Sequence, residues 1–235
     1  MFEFGEERFF NSAITVDNVI FGFDEGEIKI LLIKRGTTPF KGKWALPGDF
    51  AYPNENLEFA SARVLKELTG LSNVYLEQVQ SFGHPERHPN GRVITVAYFS
   101  LVKISDFALQ ASGWASGAQW LSLKDIPELA FDHNEILNAC FRKLQRRVRV
   151  QPIGFELLPP KFTLTDLQQL YHAILLPPPE KNIDKRNFRK KILAMDLLID
   201  LNELQEGVAH RPAKLYRFDP AKYEKLVESG FSFEI

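Results

Sequence analysis

The sequence holds a single cysteine, Cys140, and no apolar run that approaches the ~20 residues of a membrane-spanning helix. One thiol excludes an internal disulfide and a cysteine-based zinc site, and its place in a helical stretch assigns it to a buried core position. His84 and His88 have no cysteine or third histidine beside them, so no zinc site is expected there either. Met1 to Phe10 mixes acidic residues with aromatics and lacks the basic start and continuous apolar stretch of a secretory signal. A cytoplasmic protein without a membrane partner is expected. A charge excess is missing too: 29 basic residues face 30 acidic ones, for a net charge of −1. A nucleic-acid surface, if there is one, therefore has to be a local concentration of cations. There is no internal repeat.

The remaining composition is that of a globular chain, with 45% apolar and 25% charged residues in 235, enough for one large domain or two ordinary ones. Two β-branched, apolar runs between Ile14 and Ile33 flank Asp24-Glu25-Gly26-Glu27 and predict a hairpin. Leu57, Ala60, Val64, Leu65 and Leu68 recur with helical spacing and stop at Gly70, a C-terminal cap. Val74 to Phe82 and Arg92 to Val102 read as strands around a polar, turn-rich loop from His84 to Gly91. Asp132 and Asn134 are candidate N-caps for a helix reaching about Arg149. Pro152, Gly154, Pro159 and Pro160 then mark a connection, which places a boundary near residue 151. Beyond it come a helix from Thr163 to Leu175, a break at Pro177-Pro178-Pro179, a basic helix from Asp184 and a hairpin around Gly207 to Phe218.

The first of these regions, about residues 12 to 148, resembles the Nudix hydrolase family. The family's box runs Gly, Glu, then Arg-Glu-aliphatic-x-Glu-Glu-x-Gly-aliphatic at fixed spacing. The matching positions here are Asp49, Glu55, Arg63, Val64, Leu65, Glu67, Leu68, Gly70 and Leu71, after an approach of Trp44-Ala45-Leu46-Pro47-Gly48. Three of the family's glutamates coordinate divalent cations; the corresponding places read Val64, Glu67 and Leu68. Magnesium requires hard oxygen ligands, and hydrocarbon cannot replace them. The box of Glu55, Arg63 and Glu67 is therefore degenerate: no catalytic residue, metal or cofactor is expected, and magnesium enters only if the protein is an active hydrolase after all. A retained ligand cleft is expected instead, with Arg35, Trp44, Asp49, Arg63, Glu67, Arg87 and His88 as candidate lining. Arginine can hold a phosphate or carboxylate at two points, and tryptophan offers a flat face to a sugar or base.

The second region concentrates charge. Lys181, Lys185, Arg186, Arg189, Lys190 and Lys191 fall within one short stretch, while Phe188, Ile192 and Met195 form an apolar stripe. The preceding helix has its own inner stripe of Leu167, Leu170 and Ile174. Helix, cation-faced helix and hairpin in this order predict a winged helix that binds duplex DNA. Lys185, Arg186, Asn187, Arg189 and Lys190 are the candidate contacts from the helix, and His210, Arg211 and Lys214 those from the wing. Arg142, Arg146 and Arg149 could extend the cationic surface, although cations near a helix C-terminus are also favoured by its dipole.

The fold class is thus α+β: a mixed-sheet α/β/α sandwich of the Nudix type in residues 1–150 and a winged helix-turn-helix in residues 151–235. Phe131-Asp132-His133, Pro152-Ile153-Gly154-Phe155 and Lys185 to Lys190 further resemble the Nudix-related transcriptional regulators. That resemblance implies a homodimer on a palindromic operator, controlled by a small effector, either ADP-ribose or a pentose such as arabinose. An arginine-lined cleft suits a phosphate and a lost metal site suits a neutral ligand, with the balance slightly toward the sugar. The alternative is an active hydrolase of ADP-ribose or a related nucleoside diphosphate.

Overall fold

The computed structural model describes residues 12–106, 108–175, 184–208 and 211–235. The chain divides into two compact units. One holds the described residues up to Ile20, Ile30–Ser100 and, after Asp106, those as far as Cys140. The other holds Phe21–Lys29, Leu101–Asp106 and Phe141–Ile235.

The sheet begins with β1 (Ala13–Asp24) and β2 (Glu27–Arg35). They are joined at Glu25 and Gly26, whose φ angles of 52° and 77° are both positive. Two successive left-handed residues give the tight turn whose twist matches its strands, which is why an acidic residue and a glycine stand there. Five more strands follow: β3 (Trp44–Ala45), β4 (Gly48–Phe50), β5 (Glu77–Phe82), β6 (Val93–Val102) and β7 (Ala115–Ser122). Their order is β3-β2-β1-β6-β5, with β4 also pairing β1 and β7 pairing β2. β1 and β6 are buried along most of their length, as strands covered on both faces are, and so they read as nearly continuous apolar runs.

Helix α1 (Leu57–Thr69) starts where Asn56 Oδ1 accepts a hydrogen bond from the Phe59 N–H at 2.8 Å. It stops at Gly70, φ 80°, as the helical spacing predicts. Ala60, Val64 and Leu68 pack into one core with Val16, Ile33, Val96 and Tyr98. Burying each of the larger side chains contributes about 1.5–3 kcal/mol. β1 and α1 are also tied by a polar pair: the Asn18 side-chain amide donates to Ser61 O at 3.2 Å, and the Ser61 hydroxyl donates back to Asn18 Oδ1.

Helix α2 (His133–Val150) buries Ile136, Cys140, Leu144 and Val148 at three- and four-residue intervals. Burial pushes the Cys140 thiol up to about 12, so it stays protonated and acts as a small apolar side chain. The expected side-chain caps of this helix are engaged elsewhere. Asp132 gives both carboxylate oxygens to Arg87, and Asn134 Oδ1 accepts from the Leu129 N–H at 2.8 Å.

The second unit contains α3 (Leu164–Leu175), α4 (Lys185–Ala194), the antiparallel pair β8 (Leu198–Leu204) and β9 (Lys214–Phe218), and α5 (Pro220–Glu228). Thr163 and Asp166 cap the start of α3 reciprocally: the Thr163 N–H donates to Asp166 Oδ2 and the Asp166 N–H donates to Thr163 Oγ1. Leu167, Leu170 and Ile174 are fully buried, and from α4 Phe188 and Ile192 join them in the core. An isolated bridge between Phe162 and Tyr216 adds to the hairpin. This is the winged-helix order the sequence predicts. The proline break and Lys181 lie outside the described residues.

Candidate effector cavity and DNA-binding surface

A cavity of about 330 Å3 opens in the first unit, at the lower end of the range of small-molecule sites. Of the seven candidate lining residues, Arg35, Asp49, Arg87 and His88 line it. Trp44, Arg63 and Glu67 are not brought to it. Trp44 lies in β3 with Lys34 Nζ 6.0 Å from its ring. Arg63 is held by its own neighbours. It donates to Glu55 Oε2 at 3.0 Å, Glu55 Oε1 at 2.5 Å, Glu67 Oε2 at 3.0 Å and Phe50 O at 2.8 Å, while its guanidinium covers the Tyr52 ring at 3.9 Å. The hydrogen bonds from Arg63 hold the Glu55 carboxyl below its usual range.

The degenerate box therefore works as a structural clasp. Val64 is fully buried and Leu68 is 2% exposed, so the places of two metal ligands are core hydrocarbon. The two remaining carboxylates face one arginine. This donor set does not fit a divalent cation, which needs several convergent oxygens and no competing guanidinium.

Asp17, Trp114, Phe131 and His133 also line the cavity; none was a candidate lining residue, although Phe131 and His133 belong to the Phe131-Asp132-His133 stretch. Arg35 lies between two of them, its guanidinium carbon 4.7 Å from the Trp114 ring and 4.9 Å from the Phe131 ring. Its Nε donates to Pro39 O at 2.7 Å, and its two terminal nitrogens carry no hydrogen bond among the described residues. Burial lowers the Arg35 pKa, opposed by Asp49 and Asp17, yet a guanidinium remains charged in a protein. Asp49 is already engaged, accepting from Trp114 Nε1 at 2.8 Å and from the Phe50 N–H at 2.8 Å.

The floor is a buried polar network. Arg87 grips Asp132 at two points, Nε to Oδ2 at 2.8 Å and Nη2 to Oδ1 at 2.7 Å, and lies 3.6 Å from Asp17 Oδ2. Thr95 donates its hydroxyl to Asp17 Oδ2 at 2.7 Å. His133 Nδ1 accepts from the Leu46 N–H at 2.9 Å, which places the ring proton on Nε2, 3.4 Å from Asp17 Oδ1. Burial lowers the His133 pKa and keeps the ring neutral. His88, stacked on Phe131 at 5.1 Å and 12°, is also lowered, first by burial and then by the charges of Arg87 and Arg35. Gly48 completes the floor: a Cβ there would sit 1.9 Å from Asp17 Oδ1 and 2.9 Å from Val16 O, so only glycine lets β4 approach β1.

On the second unit, Lys185, Arg186, Asn187, Arg189 and Lys190 are all exposed on α4, opposite buried Phe188 and Ile192. Asp184 caps the helix, accepting from the Asn187 N–H at 2.7 Å. Arg189 also donates to Thr165 Oγ1 at 2.9 Å, which ties its guanidinium to the start of α3. Lys214 opens β9 paired with Asp200 at 2.8 Å, and Arg211 is exposed in the loop before it. His210 lies outside the described residues. Arg142, Arg146 and Arg149 are exposed along α2.

The sequence matches the protein-family model for the NUDIX domain over residues 12–140, and the model for the NrtR DNA-binding winged helix domain over residues 154–218. The chain belongs to the Nudix-related transcriptional regulators. It is a DNA-binding regulator with an N-terminal Nudix domain. It is 36% identical over 215 residues to the ADPR responsive transcriptional repressor NtrR of Acinetobacter baylyi, which covers 90% of this chain and 84% of that relative. It is also similar to Shewanella oneidensis NrtR solved with a 27mer DNA, with a TM-score of 0.73 and 29% identity over 94% of this chain and 97% of that one. The NUDIX domain of the same Shewanella oneidensis protein, solved with ADP ribose, aligns with a TM-score of 0.55 and 32% identity, covering 60% of this chain and 94% of that one.

Proposed function

We propose that the protein represses transcription by binding operator DNA through α4 and the β8–β9 wing, and that ADP-ribose in the Arg35 cavity releases it. The carrying observation is Arg35, a permanent cation between the Trp114 and Phe131 faces whose two terminal nitrogens are uncommitted among the described residues. That arrangement suits a diphosphate flanked by a ring system better than a neutral pentose, which has no charge for the guanidinium to meet. The relatives' names support the same choice: one repressor is called ADPR responsive and one related NUDIX domain was solved with ADP ribose. Nothing in them supports arabinose. ADP-ribose is a product of NAD breakdown, so the regulated genes would belong to NAD-related metabolism.

The effector is bound and not cleaved. Hydrocarbon at Val64 and Leu68, and Glu55 and Glu67 held by Arg63, leave no place for the ion that would activate water. Residues 1–150 serve as the sensor and 151–235 as the DNA-binding domain, in a cytoplasmic homodimer on a palindromic site. From the cavity floor the chain runs on along α2, which starts at His133 and ends at Val150 in the second unit.

The test is a duplex selected from random sequence by the purified protein and followed by fluorescence anisotropy. Affinity should fall steeply with salt, because cationic side chains displace counterions from phosphates. Arg186→Ala with Arg189→Ala should abolish binding, and ADP-ribose, not arabinose, should dissociate the wild-type complex. Operator affinity unchanged in the double variant would overturn the assignment of α4, and release by arabinose alone would overturn that of the effector.

A further inference from the structure

The second unit has a cavity of its own, lined by none of the candidate effector or DNA contacts named above. Its volume is about 690 Å3, well within the range of small-molecule sites. One wall is an aromatic ladder: Phe155 stacks on Phe218 at 4.4 Å and 10°, and Tyr223 continues it with its ring 6.3 Å from Phe218. Pro159, Pro160 and Pro220 supply rigid apolar surface. Proline and stacked rings lose little freedom on binding, so the site is already formed before any ligand arrives.

The charged members of the lining are Lys103, Glu156 and Arg217. Lys103 and Arg217 have no side-chain hydrogen bond or carboxylate within ion-pair distance among the described residues. Two cations and one carboxylate thus share the lining, and withdrawal from water raises the Glu156 pKa, opposed by Lys103. The balance at this site is positive. A purely apolar occupant would cover Lys103 and Arg217 without pairing them, which is costly. A flat ring bearing one negative group would meet both features at once.

We propose that this cavity binds a planar aromatic carboxylate, its ring against the Phe155–Phe218 wall and its carboxylate paired with Arg217 and Lys103. Phe218 ends β9, the strand that starts at Lys214 in the wing, so the occupant touches the base of a DNA-contacting element. The site is separate from the ADP-ribose cavity, whose lining belongs to the first unit.

The experiment is calorimetric titration of the full-length protein with 2-naphthoate and, for comparison, the neutral 2-naphthalenemethanol. The wild type should bind naphthoate at least about tenfold more tightly than the alcohol, one charge-assisted contact's difference. Lys103→Gln with Arg217→Gln should remove that preference and leave the affinity for the alcohol unchanged, a result that a collapsed pocket would not give. Excess ADP-ribose and the Arg35→Gln variant should leave naphthoate binding unaffected. No binding at millimolar naphthoate, equal affinity in the double variant, or displacement by ADP-ribose would each overturn the proposal. So would affinity that declines as protein concentration rises, since a second copy would then be covering the cavity.

Discussion

Replacing Arg87 by methionine tests the buried network under the effector cavity. The Arg87 side chain is 3% exposed and compensates two carboxylates, Asp132 at 2.7 and 2.8 Å and Asp17 at 3.6 Å, with side chains 14% and 6% exposed. Methionine fills much of the same volume, so packing is largely kept and the electrostatic loss dominates. Removing one partner of a buried pair costs about 3–5 kcal/mol, because the other charge is left without compensation. Asp17 keeps the Thr95 hydroxyl, and Asp132 is partly wet, which puts the expectation near the lower value, about 3 kcal/mol. That is a large part of the ~5–15 kcal/mol that holds a domain folded. The assay is urea unfolding of the full chain read by tryptophan fluorescence, since Trp44, Trp114 and Trp120 all lie in the first unit. Adding Asp132→Asn to Arg87→Met should restore part of the loss. A single-variant effect below about 1 kcal/mol, with no coupling to Asp132, would refute the reasoning.

Three further outcomes follow from the same geometry. Gly48→Ala drives a methyl into Asp17 and Val16 O, and strain of about 1–3 kcal/mol should appear in the same fluorescence unfolding, with weaker ADP-ribose binding. His133 has a lowered folded pKa, so the unfolded chain takes up its proton first: stability of the first unit should fall as pH drops below about 6.5, and His133→Gln should flatten that slope in unfolding curves between pH 5 and 7.5. Glu55 is likewise lowered by Arg63, so its clasp on residues 50–55 should be complete above the ordinary glutamate value and loosen as pH falls through the depressed one; amide exchange of the Tyr52 N–H, which donates to Glu55 Oε1, should report this, and Arg63→Ala should move the loosening to higher pH.

Elements that state their own boundaries were legible in the sequence. The hairpin turn at Glu25-Gly26, the cap at Gly70 and the basic helix behind Asp184 each depend on one or two local residues. β7 was not: Ala115 to Gln119 are small or polar, only Ala115 of the strand is buried, and there is no alternation to read. α5 starts at Pro220 and has no buried residue, so no apolar stripe announces it. β5 starts at Glu77, three residues later than the apolar Val74 suggests, after Asn73 turns the chain with φ 57°. The cavity was only half visible, because its parts come from separate strands and loops. Arg35 and Arg87 stood out by type, whereas Asp17 was hidden within an apolar strand, where a buried Asp17-Asn18 pair was the available signal. Arg63 and Glu67 were drawn into the expected site by the Nudix box, yet each satisfies the other, and a sequence cannot show which charges are already paired.

The most direct measurement adds ADP-ribose and magnesium to the protein–operator complex and follows DNA release by anisotropy and the nucleotide by phosphorus NMR in the same sample. The account predicts that the operator is released while ADP-ribose is recovered intact. Steady conversion of ADP-ribose to AMP, or an operator that stays bound at saturating effector, would contradict it.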